Sequence, residues 1–255
     1  LLCFLYIVYF FLSHNSELKL SPKYVRIKFS IIKEISTLGM VTLSRQAVVS
    51  VIYLLMNNIL FDLGGEAMVA VYAIIGRMLM FALFPVFGVT QGFLPIAGFN
   101  YGAEKYDRVK ESIYTAIKYA AILATIVFAG LMIFPAEIAG LFLSHKPNMS
   151  ELELATNAFV LENTPSAMRW VFAATPIIAL QLIGAAYFQA IGKAVPALLL
   201  TLCRQGFFFI PLILVLPNFL GELGVWISFP IADVLATIVT GYFLRKEVNE
   251  TLIHR

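Results

Sequence analysis

Residues 91–109 read QGFLPIAGFNYGAEKYDRV, and the segment changes character halfway along. Up to Phe99 it is apolar and punctuated by Pro95 and Gly98; from Glu104 it is charged, with Asn100 at the crossing. An apolar run that closes in helix breakers and then in Lys105, Arg108 and Lys110 is what a helix looks like where it leaves a bilayer at anionic headgroups. Working backwards, residues 67–101 form an apolar stretch longer than the roughly 20 residues a spanning helix needs. Such a helix is expected to tilt, kink or project beyond the membrane, and Pro85 and Pro95 favour a kink.

The rest of the chain agrees. Of 255 residues 60% are hydrophobic and 13% charged, against roughly 25% charged in soluble domains, and mean hydropathy is +0.88. Further runs long enough to span lie at 35–61, 113–134, 167–191, 195–216 and 223–244. The first twelve residues, LLCFLYIVYFFL, are apolar but too short to span. They lack the charged flank and cleavage site of a signal peptide. The expected fold is therefore all-α, a polytopic membrane helix bundle with six complete transmembrane helices plus a truncated one, from a chain longer than this one.

Orientation follows from the connectors. Segments 13–34, 102–112, 192–194 and 245–255 hold five, three, one and three Lys and Arg, twelve in all. Segments 62–66, 135–166 and 217–222 hold one, Lys146, while acids divide evenly, seven to each set. The positive-inside rule counts Lys and Arg, so the basic connectors and the C-terminus are expected in the cytoplasm of a multi-pass protein of the plasma (inner) membrane. Residues 1–34 read as a helix end and a basic, amphipathic linker, 35–244 as the helical lobe, and 245–255 as a tail. PAEIAGLF and SELELATNAFVLEN, in the long outside connector, read as short surface helices.

Several function classes are excluded by what the motifs lack. No Gly-rich phosphate loop, nucleophile elbow or metal-binding His pair is present, and His14, His145 and His254 all lie in connectors or the tail. Cys3 and Cys203 sit in apolar runs and have no metal-ligand spacing. No enzyme, metal site, cofactor or nucleic-acid interface is expected.

What remains is polarity at membrane depth. Arg45, Arg77, Arg204 and Asp233 lie nine or ten residues inside their spans, about 15 Å deep at 1.5 Å per residue and so near the midplane. Charges there mark either ion pairs or a pathway. Asp233 is the sole acid at that depth and cannot neutralise three arginines, so either a missing part of the protein supplies carboxylates or the arginines face a water-filled cavity. Gln46, Asn57, Gln181 and Gln205 add uncharged polar groups that could line the cavity, though a helix–helix hydrogen bond is the commoner role for each. Equal depth in adjacent antiparallel spans favours an Arg204–Asp233 pair, with Asp233 as a proton carrier the competing reading.

The opening segment resembles the Q-G-x-x-P-I-x-G-[YF]-N-Y-G-A-x-x-x-x-R-V signature of the multidrug and toxic compound extrusion (MATE) family. FPIAD at 229–233 is similar to that family's last helix, and CRQGFFFIPLILVLP at 203–217 to its eleventh. The resemblance implies the carboxy-terminal half of a twelve-helix transporter, which would exchange H⁺ or Na⁺ for cationic amphipathic drugs by alternating access. Its partners would be the lipid bilayer, those drugs and the missing amino-terminal lobe. Gln91, Gly92, Pro95, Gly98, Asn100 and Gly102 then form the signature, read as a hinge rather than a substrate contact: Pro95 and Gly98 weaken the helix end, Asn100 caps it, and Gly102 takes a left-handed turn. Sodium-coupled relatives carry carboxylates in the seventh and tenth helices, whereas 35–61 and 167–191 here contain none. Three midplane arginines keep a lipid-linked oligosaccharide flippase of the same superfamily as the alternative.

Overall fold

The computed structural model describes residues 2–12, 28–143 and 150–253. These are helical, with no strand among them. They fall into two compact units, Leu1–Thr42 and Leu43–Arg255. The first unit holds α1 (Leu2–Leu12) and the beginning of α2 (Phe29–Gly102). Most of the basic linker lies outside the described residues.

The second unit carries the architecture. Its first element is the rest of α2, a helix that reverses at Gly64–Gly65. Gly65 adopts φ 65°, ψ −158°, a conformation essentially closed to residues with a Cβ. The reversal is visible in Tyr53 and Tyr72, whose ring centroids are 5.9 Å apart. Nineteen residues of straight helix would separate them by about 28 Å, so the two arms lie side by side and antiparallel.

After α2 come α3 (Tyr106–Ile133), the short α4 (Pro135–Leu141), α5 (Glu151–Val171) and α6 (Thr175–Ala190). Ser150 and Glu153 form a reciprocal capping box at the start of α5. The segment SELELATNAFVLEN is therefore not a separate short helix: it is the first part of a 21-residue helix that continues through Pro165. Between α5 and α6 the axis bends by 52°. Pro176, in the first turn of α6, has no N–H for the Phe172 carbonyl and would collide with it in a straight helix.

The chain then runs through α7 (Ala194–Leu202), a π-helical stretch (Cys203–Phe209), α8 (Ile210–Val215), α9 (Pro217–Leu220) and α10 (Glu222–Glu247), with a second π-helical stretch at Val248–Ile253. Pro211 follows the first π segment, and its missing N–H leaves the preceding turn to widen. Among the described residues, four helical stretches are long and apolar enough to cross a membrane: Gln46–Gly102, Tyr106–Ile133, Ala194–Leu220 and Glu222–Glu250. The bent pair α5–α6 makes a fifth if it is one span.

Two apolar clusters hold the unit together. One joins Met56, Leu60, Met68 and Ile75 of α2 to Met168 and Trp226. The other joins Phe93 and Ala97 of α2 to the alanine face of α3 (Ala116, Ala120, Ala124) and to Ile183 and Tyr187 of α6. Small residues let backbones approach closely, which is how helices gain contact area in lipid, where the hydrophobic effect gives them no reason to associate. Phe81, Phe84, Ile126, Ile238 and Tyr242 point outward with more than half of their surface exposed, as lipid-facing side chains do.

Candidate functional site

The site is built where α10 crosses the π segment. Asp233 projects from the middle of α10 and is 4% exposed. Arg204 sits in the first turn of the π segment, and its Nε donates to Asp233 Oδ1 at 2.5 Å. Two charges from different helices, expected at one depth, do meet. Their side chains are 5% and 15% exposed, which makes this the most buried ion pair among the described residues.

Beside the pair is a cavity of about 200 Å³. Arg204, Asp233 and Gln205 supply its polar wall; Tyr53 and Tyr72 line it from the two arms of α2, and Phe209 and Phe229 line it as well. The last two rings pack with centroids 4.5 Å apart. Widening the helical turn at Cys203–Phe209 gathers Arg204, Gln205 and Phe209 at this cavity, and such segments recur at functional sites.

Other residues singled out by depth are elsewhere. Arg77 is exposed on α2 and makes no ion pair among the described residues. The side chain of Arg45 lies outside the described residues. Gln46 and Asn57 are exposed, while Gln181 is buried and donates to the Leu200 carbonyl at 3.2 Å. Gln181 thus ties α6 to α7, the helix–helix role that is commoner for a buried amide.

The signature region forms a second feature. Gly92, Asn100, Arg108, Glu111 and Ser112 line an open cleft of about 560 Å³ between α2 and α3. Backbone angles stay helical through Pro85 and Pro95 to Gly102. Within the last turns of α2 the Asn100 Nδ2 donates to the Ile96 carbonyl at 2.8 Å, and the Asn100 backbone carbonyl accepts from Lys105 N at 2.9 Å. The left-handed residue, however, is Glu104 (φ 57°) and not Gly102. The helix runs two residues further than a glycine stop would allow before it turns. Gly98 has a packing role: a Cβ there would lie 3.0 Å from the Ala190 carbonyl oxygen at the end of α6.

Sequence reasoning missed Tyr53 and Tyr72. Their signal was positional, since they lie on opposite sides of Gly64–Gly65, but it is readable only once the glycine pair is taken as a reversal. It also missed the pair formed by Lys193 and Glu247, at 2.7 and 2.8 Å, which ties the α6–α7 turn to the end of α10.

A bundle that is all-helical among the described residues, with apolar outward faces, four helical stretches long and apolar enough to cross a membrane and a buried charged pair between two of them, is that of a polytopic integral membrane protein. The MatE family profile matches residues 42–215, and the chain belongs to that family. It is 23% identical over 251 residues to the multidrug export protein MepA of Staphylococcus haemolyticus, covering 98% of this chain and 52% of that protein. MepA of Staphylococcus aureus is 22% identical over 248 residues, with 96% and 52% covered. Among solved structures, the MATE multidrug transporter DinF-BH superposes with a TM-score of 0.79 at 34% identity, covering 96% of this chain and 52% of that one. A MOP superfamily transporter from Pyrococcus furiosus gives 0.83 at 23% identity, with 96% and 53% covered, a likeness of fold alone. The chain spans about half the length of the relatives it matches.

Proposed function

We propose that this chain is the carboxy-terminal lobe of a twelve-helix drug/cation antiporter that exports cationic amphipathic compounds in exchange for H⁺ or Na⁺ by alternating access. Six spans are assigned: the two arms of α2, then α3, the bent α5–α6, α7 to α9, and α10. The basic connectors and the C-terminus are placed in the cytoplasm of a plasma-membrane protein on the Lys/Arg asymmetry. The observation that carries the reading is membership of the MatE family, together with relatives named as multidrug transporters that match almost the whole of this chain over about half of their own length.

The geometry supports it in a particular way. Drug-sized ligands occupy pockets of about 300–1,000 Å³, and the aromatic cavity beside Asp233 has about 200 Å³. It is half a site, to be completed by the amino-terminal lobe. Because Arg204 neutralises Asp233, this lobe offers aromatic faces but no free carboxylate at the cavity. The charge that attracts a cation would then come from the other lobe.

A flippase for lipid-linked oligosaccharides is the second reading. Its support was the set of midplane arginines, and the Pyrococcus furiosus protein is described as having a pocket of reversed polarity that suggests a different function. Pairing with Asp233 withdraws Arg204 from that set, which weakens this reading. The test is dye efflux by the full-length protein in an efflux-deficient bacterium, followed by uptake of the cationic dye rhodamine into inverted vesicles under an imposed pH or Na⁺ gradient. Uptake driven by either gradient is expected. Correctly inserted protein that moves dye under neither gradient would overturn the antiporter.

A further inference from the structure

Serine and threonine hydroxyls inside these helices commonly donate to the carbonyl four residues back. Thr90, Thr125, Thr156, Thr201 and Ser228 do so at 2.7–2.9 Å. Thr237 and Thr240 of α10 do not. Their Oγ1 atoms are buried without a hydrogen-bond partner, and so are the Tyr187 hydroxyl and Gln181 Oε1 of the facing α6. Of the buried side-chain polar atoms left unpaired among the described residues, only Thr164 Oγ1 lies outside these two helices. Unpaired buried polar atoms are rare in folded proteins, and internal water is their usual partner.

Their placement is ordered. Asp233, Thr237, Thr240, Leu244 and Glu247 recur at steps of four and three residues, so they share one face of α10. That face meets α6 at Gly184, where a Cβ would collide with Thr240 Cγ2. The Thr240 methyl lies against Gly184, which stands on α6 three residues after Gln181 and three before Tyr187. One end of the seam is the Arg204–Asp233 pair. The other is Glu247, held by Lys193, which together with Tyr101 and Tyr106 neighbours the Tyr187 hydroxyl. Asp233 and Glu247 are separated by about 21 Å along α10.

We propose that this seam is a file of internal water that carries protons between the Lys193–Glu247 end of α10 and Asp233. A hydronium at the inner end gives one proton to a carboxylate oxygen of Asp233, leaving a water molecule and a neutral carboxylic acid. Arg204 keeps its charge, loses its counter-ion and is free to leave α10. The Arg204–Asp233 pair is thereby a latch between the π segment and α10 that a proton opens. The file itself rests on the buried atoms; its use for protons from the cytoplasm rests on the antiporter reading.

Hydroxyl-radical footprinting by X-ray radiolysis of the full-length transporter tests the file, because radicals made from internal water mark the side chains beside it. Tyr187 and Phe172 are both 0% exposed. Tyr187 is expected to oxidise several-fold faster than Phe172, and Thr240→Val, or Thr237→Val if the first variant does not fold, should bring it down to the rate of Phe172. Equal rates for Tyr187 and Phe172 in the unaltered protein overturn the file. For its use, the two valine variants should slow proton-driven rhodamine exchange in proteoliposomes several-fold at unchanged dye affinity. Exchange at full rate, or exchange driven by Na⁺ alone, overturns the proton role. A protein that exchanges no dye at all refutes the antiporter reading, and footprinting still decides the file.

Discussion

Replacing Asp233 by Asn in the full-length protein removes one charge from the buried pair and nothing from its volume. Breaking a buried pair from one side costs about 3–5 kcal/mol, because the partner's charge is left uncompensated. Here Arg204 is 15% exposed and borders a cavity of about 200 Å³, so some water can reach the orphaned guanidinium. That places the loss near the lower end, about 3 kcal/mol. In a unit of 150–250 residues each kcal/mol moves the melting point by roughly 2–4 °C, so Asp233→Asn should lower it by about 6–12 °C. Arg204→Gln alone should do comparable harm by stranding the carboxylate. The double variant, a neutral amide pair of similar volume, should recover most of the loss, and the double-mutant cycle gives the coupling directly. The assay is thermal unfolding of detergent-solubilised full-length protein, followed by fluorescence-detected size exclusion. An Asp233→Asn variant as stable as the original, or a double variant no better than either single one, would refute the pairing argument.

Three further outcomes are expected. Cysteines placed at Lys105 and Lys246 should react with an impermeant thiol reagent only from the cytoplasmic side and one at Ser150 only from outside; labelling of position 150 from inside would reverse the assigned orientation. Gly184→Ala should destabilise by about 1–3 kcal/mol in the same melting assay, since its Cβ meets a β-branched side chain that has little freedom to move. Gly98→Ala combined with Pro95→Ala should insert normally and slow dye export; export at the original rate would leave the signature with a packing role only.

The membrane character of the chain and the positions of most of its apolar spans were legible because hydropathy is additive: twenty apolar residues read the same whatever they pack against. The charged pair was legible for a similar reason. Depth can be counted along each helix, and Arg204 and Asp233 counted to the same level. Arg77 counted to that level too, yet it is exposed on α2, because depth says nothing about the direction a residue faces around its helix. The misplaced left-handed turn has a related origin. Gly102 is the conventional stop, but hydrogen bonds from Ala103 to Phe99, from Glu104 to Tyr101 and from Lys105 to Asn100 carry the turn onward by two residues.

What sequence periodicity could not supply was partnership. Thr237 and Thr240 look like two ordinary threonines in an apolar helix, where a hydroxyl normally bonds to its own backbone and draws no notice. Only when α6 is laid against α10 does the Thr240 methyl meet Gly184, and the Thr240 hydroxyl is buried without a partner, as are Gln181 Oε1 and the Tyr187 hydroxyl of α6. Tyr53 and Tyr72 became a pair in the same way, through the reversal at Gly64–Gly65. The residues that shape this lobe's interior therefore divide by kind. Charges announce themselves along the chain because lipid forbids them without a reason. Hydroxyls and amides are cheap enough in a helix to pass unnoticed, and they acquire a function only from the helix that comes to lie opposite. The latch draws on both kinds: a charged pair that holds α10 to the π segment, and a line of hydroxyls that gives a proton a way to open it.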